Sequence, residues 1–215
     1  YAPVLGCYPN EQEDWMFERL AEAGVAVAGI DVGEAYGNTE GQRLFSALHA
    51  ELSERRGFSR QPCLLARSRG GLLAAGWAVN HPEKISGLAG IYPAFDLRSF
   101  PGLERAAAAW DIPETQFQKN LTLHNPSSRI HVLAQNRVPM FLVHGDADAV
   151  VPLEPNSAAV LRAYQAAGAD PLIELVIAEG LAHTRSPKFF RNERLVDFVI
   201  RCATGTISNQ SKIAN

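Results

Sequence analysis

Continuous apolar runs of strand length alternate along the chain with segments in which apolar residues follow a helical period. The runs are apolar throughout rather than at every second residue, which is typical of parallel strands covered by helices on both faces. The predicted strands are 25–31, 62–68, 85–93, 138–145 and 171–179. The predicted helices are 10–24, 38–56, 70–81, 156–168 and 190–203. This alternation predicts an α/β protein with a mostly parallel sheet flanked by helices on both faces.

Residues 94–137 interrupt the alternation, because they separate two predicted strands by more than a simple crossover needs. We expect a small helical insertion there, which either forms a cap over a pocket or has no functional role. Residues 1–203 are otherwise expected to form a single domain, which 215 residues with 47% hydrophobic content can support. The polar segment 204–215 has no periodicity and is predicted to be a flexible tail.

Composition and charge argue against several classes of partner. The formal net charge is -3 at pH 7 and no basic run is present, so nothing predicts a nucleic-acid partner. No apolar stretch is long enough to predict a membrane span. The three cysteines, Cys7, Cys63 and Cys202, have neither metal-ligand spacing nor the pattern of a disulfide framework, and Cys63 is predicted to be a small buried hydrophobe.

The chain begins at Tyr1, without methionine or a signal-like segment. Either a leader has been removed or the sequence is a fragment. The compartment therefore stays open, and a secreted or periplasmic location in a bacterium is among the options.

Ser68 stands where the predicted strand 62–68 meets the next helix, in the stretch LLARSRGG. A strand that turns sharply into a helix lifts the middle residue of the turn above the carboxyl edge of the sheet, where ligands bind in parallel α/β proteins. The turn needs small residues on both sides, and Ala66 and Gly70 occupy those positions. The helix N-terminus adds positive potential where an oxyanion would form, so Ser68 is a candidate nucleophile.

A serine hydroxyl needs a base to take its proton, and the base needs a carboxylate to orient it. His183 follows the predicted strand 171–179, in GLAHT, with a glycine and an alanine nearby that leave room. The acid is expected in HGDADAVVP, which follows the predicted strand 138–145 and offers both Asp146 and Asp148. The chain order serine, aspartate, histidine is the order of a nucleophile-elbow fold.

Taken together, ARSRGG, HGDADAVVP and GLAH resemble the motifs of the α/β-hydrolase superfamily, over a region from about residue 10 to residue 203. The chain looks most like the branch of bacterial esterases, dienelactone hydrolases and prolyl-oligopeptidase-like proteins. The resemblance implies a triad of Ser68, Asp148 and His183, with Asp146 as a turn residue. It also implies hydrolysis of carboxylic esters through an acyl-enzyme, with no metal or organic cofactor.

Three further residues are predicted to bind the oxyanion or the substrate. The backbone N–H of Arg69 follows the nucleophile and is expected to donate to the oxyanion. SRGG resembles the serine–arginine elbow of glucuronoyl esterases, where such an arginine helps to form the oxyanion hole, which would favour carbohydrate-linked esters. Alternatively, the Arg69 side chain pairs with Glu34, which follows the predicted strand 25–31. The second backbone donor is expected at the start of the chain, in the region from Ala2 to Leu5.

The superfamily sheet order implies that N-terminal strands are missing. Strand 25–31 corresponds to the fourth strand and 62–68 to the fifth, and the third lies between them in space. Tyr1 begins where that third strand should end, and an unpaired inner edge is costly. We therefore expect residues before Tyr1, or another segment or partner chain that completes the sheet. A misassigned strand numbering is the third option.

Two other functions remain as alternatives to an esterase acting on a small-molecule or carbohydrate ester. Serine peptidases of the prolyl-oligopeptidase type usually carry a propeller or a further domain, which 215 residues cannot hold. If the chain were a non-catalytic binding protein on this fold, we would expect at least one triad position to be disrupted, and none is.

Overall fold

The structure, a computed structural model, describes residues 11–205, so Ala2 and residues 206–215 of the predicted tail lie outside the described residues. Four parallel strands form one sheet and stand side by side in chain order. They are β1 (Cys63–Arg67), β2 (Gly87–Ile91), β3 (Met140–Gly145) and β4 (Ile173–Ala178). The prediction of an α/β-hydrolase fold built on a parallel sheet is confirmed.

Helices connect and cover these strands. The longer ones are α1 (Glu11–Glu22), α2 (Thr39–Ala50), α3 (Gly70–Ala78), α9 (Ala159–Ala166) and α11 (Glu193–Thr204). The short ones are α4 (Leu103–Ala109), α5 (Glu114–Lys119), α6 (Leu121–His124), α7 (Pro126–Arg129), α8 (His131–Gln135) and α10 (Pro187–Phe190). A π-helical turn extends α2 over Glu51–Arg55, and another, Glu154–Ala158, leads into α9.

Each face of the sheet buries its own apolar cluster, because successive side chains of a strand point to opposite faces. On one face Leu64 and Leu142 pack with Trp77 of α3 and Tyr164 of α9. On the other face Leu65, Ile91, Phe141 and Val143 pack with residues of α1, α10 and α11. The helices on both sides of the sheet explain why the strands are apolar throughout.

The predicted strand at 25–31 is wrong. These residues pair with no described strand, and most of them are exposed, with Val27 46% accessible. An apolar run becomes a strand only when a neighbour satisfies its backbone groups. Within residues 11–205, β1 is an edge strand, and neither 25–31 nor any other segment pairs with its free edge.

The long connection between β2 and β3 contains the five short helices α4 to α8. Phe117 and Leu121 from this connection form a third apolar cluster with Leu72 of α3 and Val151, which follows β3. The insertion therefore packs on the carboxyl side of the sheet. No helix in the described part of the chain is long and apolar enough to cross a membrane.

Candidate active site

Ser68 occupies a strained turn between β1 and α3. Its φ is 51°, in the left-handed region that non-glycine residues seldom adopt. Three backbone hydrogen bonds hold the turn: Ser68 N–H donates to the Ile91 carbonyl at 3.0 Å, and the Ser68 carbonyl accepts from Gly71 at 3.0 Å and Ala94 at 2.9 Å. These bonds fix the hydroxyl above the carboxyl edge of the sheet.

The steric demand of the turn falls on Gly71 rather than on Gly70. A Cβ at Gly71 would lie 2.5 Å from the Ala94 carbonyl oxygen, whereas a Cβ at Gly70 would meet nothing within 4 Å. The second glycine of SRGG is therefore the one that permits the close approach of α3 to the loop after β2. The sequence pattern alone assigned that role to Gly70.

The three residues that the motifs predict as a triad meet at this edge. The Ser68 Oγ lies 2.9 Å from His183 Nε2, and His183 Nδ1 lies 2.6 Å from Asp148 Oδ2. The side chain of His183 keeps 18% of its accessibility, whereas that of Asp148 is fully buried. A hydroxyl, an imidazole and a carboxylate thus form one continuous hydrogen-bonded chain with its serine end toward solvent.

The Asp148 carboxylate is held from two sides. Its Oδ1 accepts from the backbone N–H groups of Val150 at 2.9 Å and Val151 at 2.8 Å. Its Oδ2 is left to face the imidazole of His183. The acid loop therefore binds one oxygen and orients the other.

Asp146 has a different position. Its Oδ1 accepts from Gly180 N–H at 2.7 Å, which ties the acid loop to the loop that carries His183. The two loops also meet where the Ala147 N–H donates to the Leu181 carbonyl at 3.2 Å. A Cβ at Gly145 would lie 2.0 Å from that same carbonyl oxygen, so only glycine fits there.

His144 is buried directly behind the acid. Its Nε2 lies 2.8 Å from the Val151 carbonyl, which only accepts, so Nε2 carries the proton. Its Nδ1 then accepts from the Ser157 hydroxyl at 2.8 Å. Burial lowers the pKa of His144 below its usual value, which favours this neutral form.

Tyr92 packs against His183 and was not predicted from the sequence as a site residue. It follows β2 at the same sheet edge, with φ 35°, and its ring centroid lies 4.2 Å from that of His183. Phe189 packs on the other side of Tyr92 in an edge-on contact at 4.9 Å. The only signal in the sequence was its place, directly after a strand whose neighbours carry the nucleophile and the acid.

Arg69 and Arg67, on either side of the nucleophile, each pair with an acid. Arg69 forms an ion pair with Glu34, which is the alternative to an oxyanion role for its side chain. Arg67 pairs with Glu13 of α1, whose side chain is only 4% accessible. Burial and the neighbouring Glu34 carboxylate raise the pKa of Tyr36.

The backbone N–H of Arg69 makes no hydrogen bond within the described part of the chain. It lies at the start of α3, beside the Ser68 hydroxyl, and is free to donate to an oxyanion. Ala2 lies outside the described residues, so the structure says nothing of the second donor. No group of three or more metal-ligating side chains occurs in residues 11–205.

Two buried asparagines hold the segment that follows Tyr92. Asn156 Oδ1 accepts from the backbone N–H groups of Phe95 at 2.7 Å and Asp96 at 3.0 Å, and its Nδ2 donates to the Pro152 carbonyl at 2.8 Å. Asn125 Oδ1 accepts from Leu97 N–H at 2.9 Å. The loops after β2 and β3 are thereby joined by fully buried polar side chains.

A parallel sheet that carries serine, aspartate and histidine in this chain order, on loops at its carboxyl edge, defines a serine hydrolase of the α/β-hydrolase fold. The chain belongs to the prolyl oligopeptidase family, whose model matches residues 45–206. No curated protein sequence matches the chain significantly.

Solved structures share this fold at low sequence identity. A monoacylglycerol lipase from Paleococcus ferrophilus has a TM-score of 0.62 at 16% identity, covering 90% of each chain. MPT51 from Mycobacterium tuberculosis has a TM-score of 0.65 at 13% identity, covering 89% of this chain and 82% of its own. A puromycin-hydrolyzing peptidase from M. tuberculosis has a TM-score of 0.57 at 17% identity, covering 78% of this chain but only 25% of its own. The chain therefore spans almost the whole of the lipase and about a quarter of the peptidase.

Proposed function

We propose that the protein is a serine carboxylic-ester hydrolase that works through an acyl-enzyme. The observation that carries the proposal is the continuous hydrogen-bonded chain from the Ser68 hydroxyl through His183 to the buried carboxylate of Asp148. This arrangement is the one that activates a serine for attack on an acyl carbon.

In the first half of the reaction, Ser68 Oγ attacks the ester carbonyl while His183 Nε2 takes its proton. The negative charge that develops on the carbonyl oxygen accepts a hydrogen bond from the backbone N–H of Arg69. His183 then gives its proton to the departing alcohol, which leaves the acyl group on Ser68. In the second half, water attacks this acyl group with His183 again as base, and Ser68 is restored.

Esters are the proposed substrates because an ester is chemically easier to cleave than an amide. An alcohol leaves more readily than an amine, so an oriented triad and one oxyanion donor suffice for an activated ester. Amide cleavage also needs groups that hold the peptide and deliver a proton to its nitrogen.

Carbohydrate-linked esters are the proposed subclass. Arg69 directly follows Ser68 and forms an ion pair with Glu34, and Tyr36 lies two residues after Glu34 in the chain. A cation, an anion and a hydroxyl of this kind can bind sugar hydroxyls. The resemblance of SRGG to the elbow of glucuronoyl esterases remains an interpretation of the sequence.

A serine peptidase is the second candidate, because the chain belongs to the prolyl oligopeptidase family. A matched pair of substrates separates the two functions. A p-nitrophenyl ester and a p-nitroanilide with the same acyl group differ only in the atom, oxygen or nitrogen, that joins the leaving group to the acyl carbon. Hydrolysis of the ester without detectable cleavage of the anilide supports the esterase, whereas saturable turnover of peptide anilides that Ser68→Ala abolishes supports the peptidase.

A serine-reactive fluorophosphonate probe tests whether the triad works at all. We expect the protein to be labelled and to hydrolyse p-nitrophenyl acetate, and we expect Ser68→Ala to do neither. Labelling of the Ser68→Ala variant would show that another residue reacts. A wild-type protein that resists the probe and turns over no ester would favour a non-catalytic binding role. A panel of acetylated and methylated polysaccharide fragments would then identify the substrate class.

A further inference from the structure

Two cysteines that the proposed reaction does not use lie in the same apolar cluster of the sheet. Cys63 is the first residue of β1, and Cys202 lies in the last turn of α11, which packs on that face. Neither cysteine forms a disulfide. Cys63 is partly buried, whereas Cys202 is buried.

Gly87 brings the two side chains together. Gly87 is the partner of Cys63 in the β1–β2 pair, so the two residues are neighbours across strands about 4.8 Å apart. A Cβ at Gly87 would lie 2.5 Å from Cys202 Sγ. The Cys202 sulfur therefore fills the space that the missing side chain of Gly87 leaves beside Cys63.

We propose that Cys63 and Cys202 form a dithiol site that a small disulfide oxidises to an intramolecular disulfide. Two thiols in side-chain contact on facing elements meet the first geometric requirement for such a bond. The bond would join the edge strand that carries the nucleophile to the last helix of the chain.

The reaction balances with glutathione disulfide as the oxidant. The thiolate of Cys63, the more accessible of the two, attacks one sulfur of glutathione disulfide and releases one glutathione thiolate, which takes up a proton. Cys202 then loses its proton and attacks the Cys63 sulfur of the mixed disulfide, releasing the second glutathione. The two cysteines are oxidised by two electrons and glutathione disulfide is reduced to two thiols.

The environment of the pair makes this oxidation slow at neutral pH. The neighbouring Cys202 thiol and burial raise the pKa of the Cys63 thiol, so little of the attacking thiolate is present. The rate of bond formation should therefore increase as the pH rises above neutrality. Once formed, the bond closes a loop of about 140 residues, and a long closed loop restricts the unfolded chain strongly.

The test is oxidation of the whole chain with glutathione disulfide, followed by alkylation, digestion and mass spectrometry. We expect one cross-linked peptide that joins Cys63 to Cys202, and a melting temperature about 5–10 °C above that of the reduced protein. Reduction with dithiothreitol should reverse both changes. Cys7→Ser is the matched control and should still form the bond, whereas Cys63→Ser and Cys202→Ser should each lose the cross-link and the shift.

Because Cys63 lies at the opposite end of β1 from Ser68, oxidation should leave labelling by a fluorophosphonate unchanged. Three results would overturn the proposal. The first is a cross-link that involves Cys7. The second is full alkylation of Cys63 and Cys202 after oxidation at elevated pH. The third is an oxidised protein that melts no higher than the reduced one.

Discussion

The ring of Tyr92 packs against the imidazole of His183, with the ring centroids 4.2 Å apart and the planes inclined by 50°. Tyr92 is itself buried and backed by Phe189 and Phe190. His183 is therefore positioned by Asp148 through a hydrogen bond and by Tyr92 through packing. Within the described part of the chain, the Tyr92 hydroxyl makes no hydrogen bond, so the ring is the part that matters.

This contact predicts different effects for two substitutions of Tyr92. Tyr92→Phe keeps the ring and should leave kcat/KM on p-nitrophenyl acetate within about twofold of the wild-type value. Tyr92→Ala removes the support of the imidazole and should lower kcat about a hundredfold with a smaller change in KM. It should also lower the free energy of unfolding by about 3–5 kcal/mol because of the cavity. Equal losses for both variants would contradict the positioning role of the ring.

The two aspartates of the acid loop predict a matched pair of variants. Asp148→Asn replaces the acceptor of the His183 proton with a neutral amide, and kcat should fall roughly 10³–10⁴-fold. Asp146→Asn makes the same chemical change two residues away and keeps an oxygen that can accept from Gly180 N–H. Its kcat should stay within about threefold of wild type. If the larger loss follows Asp146 instead, the assignment of the acid is wrong.

The pair of Arg69 and Glu34 predicts a change in substrate preference. If the guanidinium helps to bind an anionic sugar, Arg69→Ala should lower kcat/KM on a uronate ester about tenfold more than on the matching neutral sugar ester. Glu34→Gln releases the guanidinium from its ion pair and should shift the preference toward the uronate. Equal losses on both esters in Arg69→Ala would limit the side chain to a structural role.

Burial of His144 predicts a dependence of stability on pH. Its pKa in the folded protein lies below the value of 6.5 in the unfolded chain. Between these two pKa values the unfolded chain binds more protons than the folded protein. The contribution of His144 to the free energy of unfolding therefore increases with pH up to about 6.5, and it is lost as the pH falls from 6.5 toward the folded-state pKa. The contribution is at most about 1.4 kcal/mol per pH unit.

Urea unfolding at several pH values checks this. In a His144→Gln variant, the free energy of unfolding should decline less steeply below pH 6.5. The variant should also be less stable at neutral pH, because it loses the imidazole hydrogen bonds to Ser157 and Val151. His131→Gln, at an exposed position, is the control and should keep the wild-type decline. A decline of unchanged slope in His144→Gln would assign it to other groups.

The buried amide of Asn156 predicts a large loss of stability. Asn156→Leu leaves the N–H groups of Phe95 and Asp96 without their acceptor, and should lower the free energy of unfolding by about 2–5 kcal/mol in urea titrations. Asn136 is exposed, and its side chain donates to the Val132 carbonyl of the preceding helix, α8. Asn136→Ala should cost less than about 1 kcal/mol, and a similar cost for both variants would show that the network of Asn156 contributes little.

Much of the fold follows from local sequence pattern. The four strands of the sheet lie within the predicted runs 62–68, 85–93, 138–145 and 171–179, because strands buried on both faces leave unbroken apolar segments. The run 25–31 has the same composition but is no strand, since pairing depends on a neighbour that composition does not report. The short helices of 94–137 were expected only as a group, because each is too short to show a clear period.

The candidate site was likewise only partly predictable from the sequence. Ser68, Asp148 and His183 could be chosen because each follows a strand in a short local motif. The contact of Asn156 with Phe95 spans 61 residues, and that of Arg67 with Glu13 spans 54. Such distant contacts carry no local pattern, so a single sequence does not reveal them.

The order of the sheet also has a consequence for synthesis. Since each strand pairs with the one made just before it, the sheet can grow from β1 to β4 as the chain leaves the ribosome. Ser68 and His183 are 115 residues apart, so Ser68 emerges about 6–23 s before His183. Under the proposed mechanism, a half-made chain carries an inert serine, and hydrolytic capacity arrives only when the fourth strand docks.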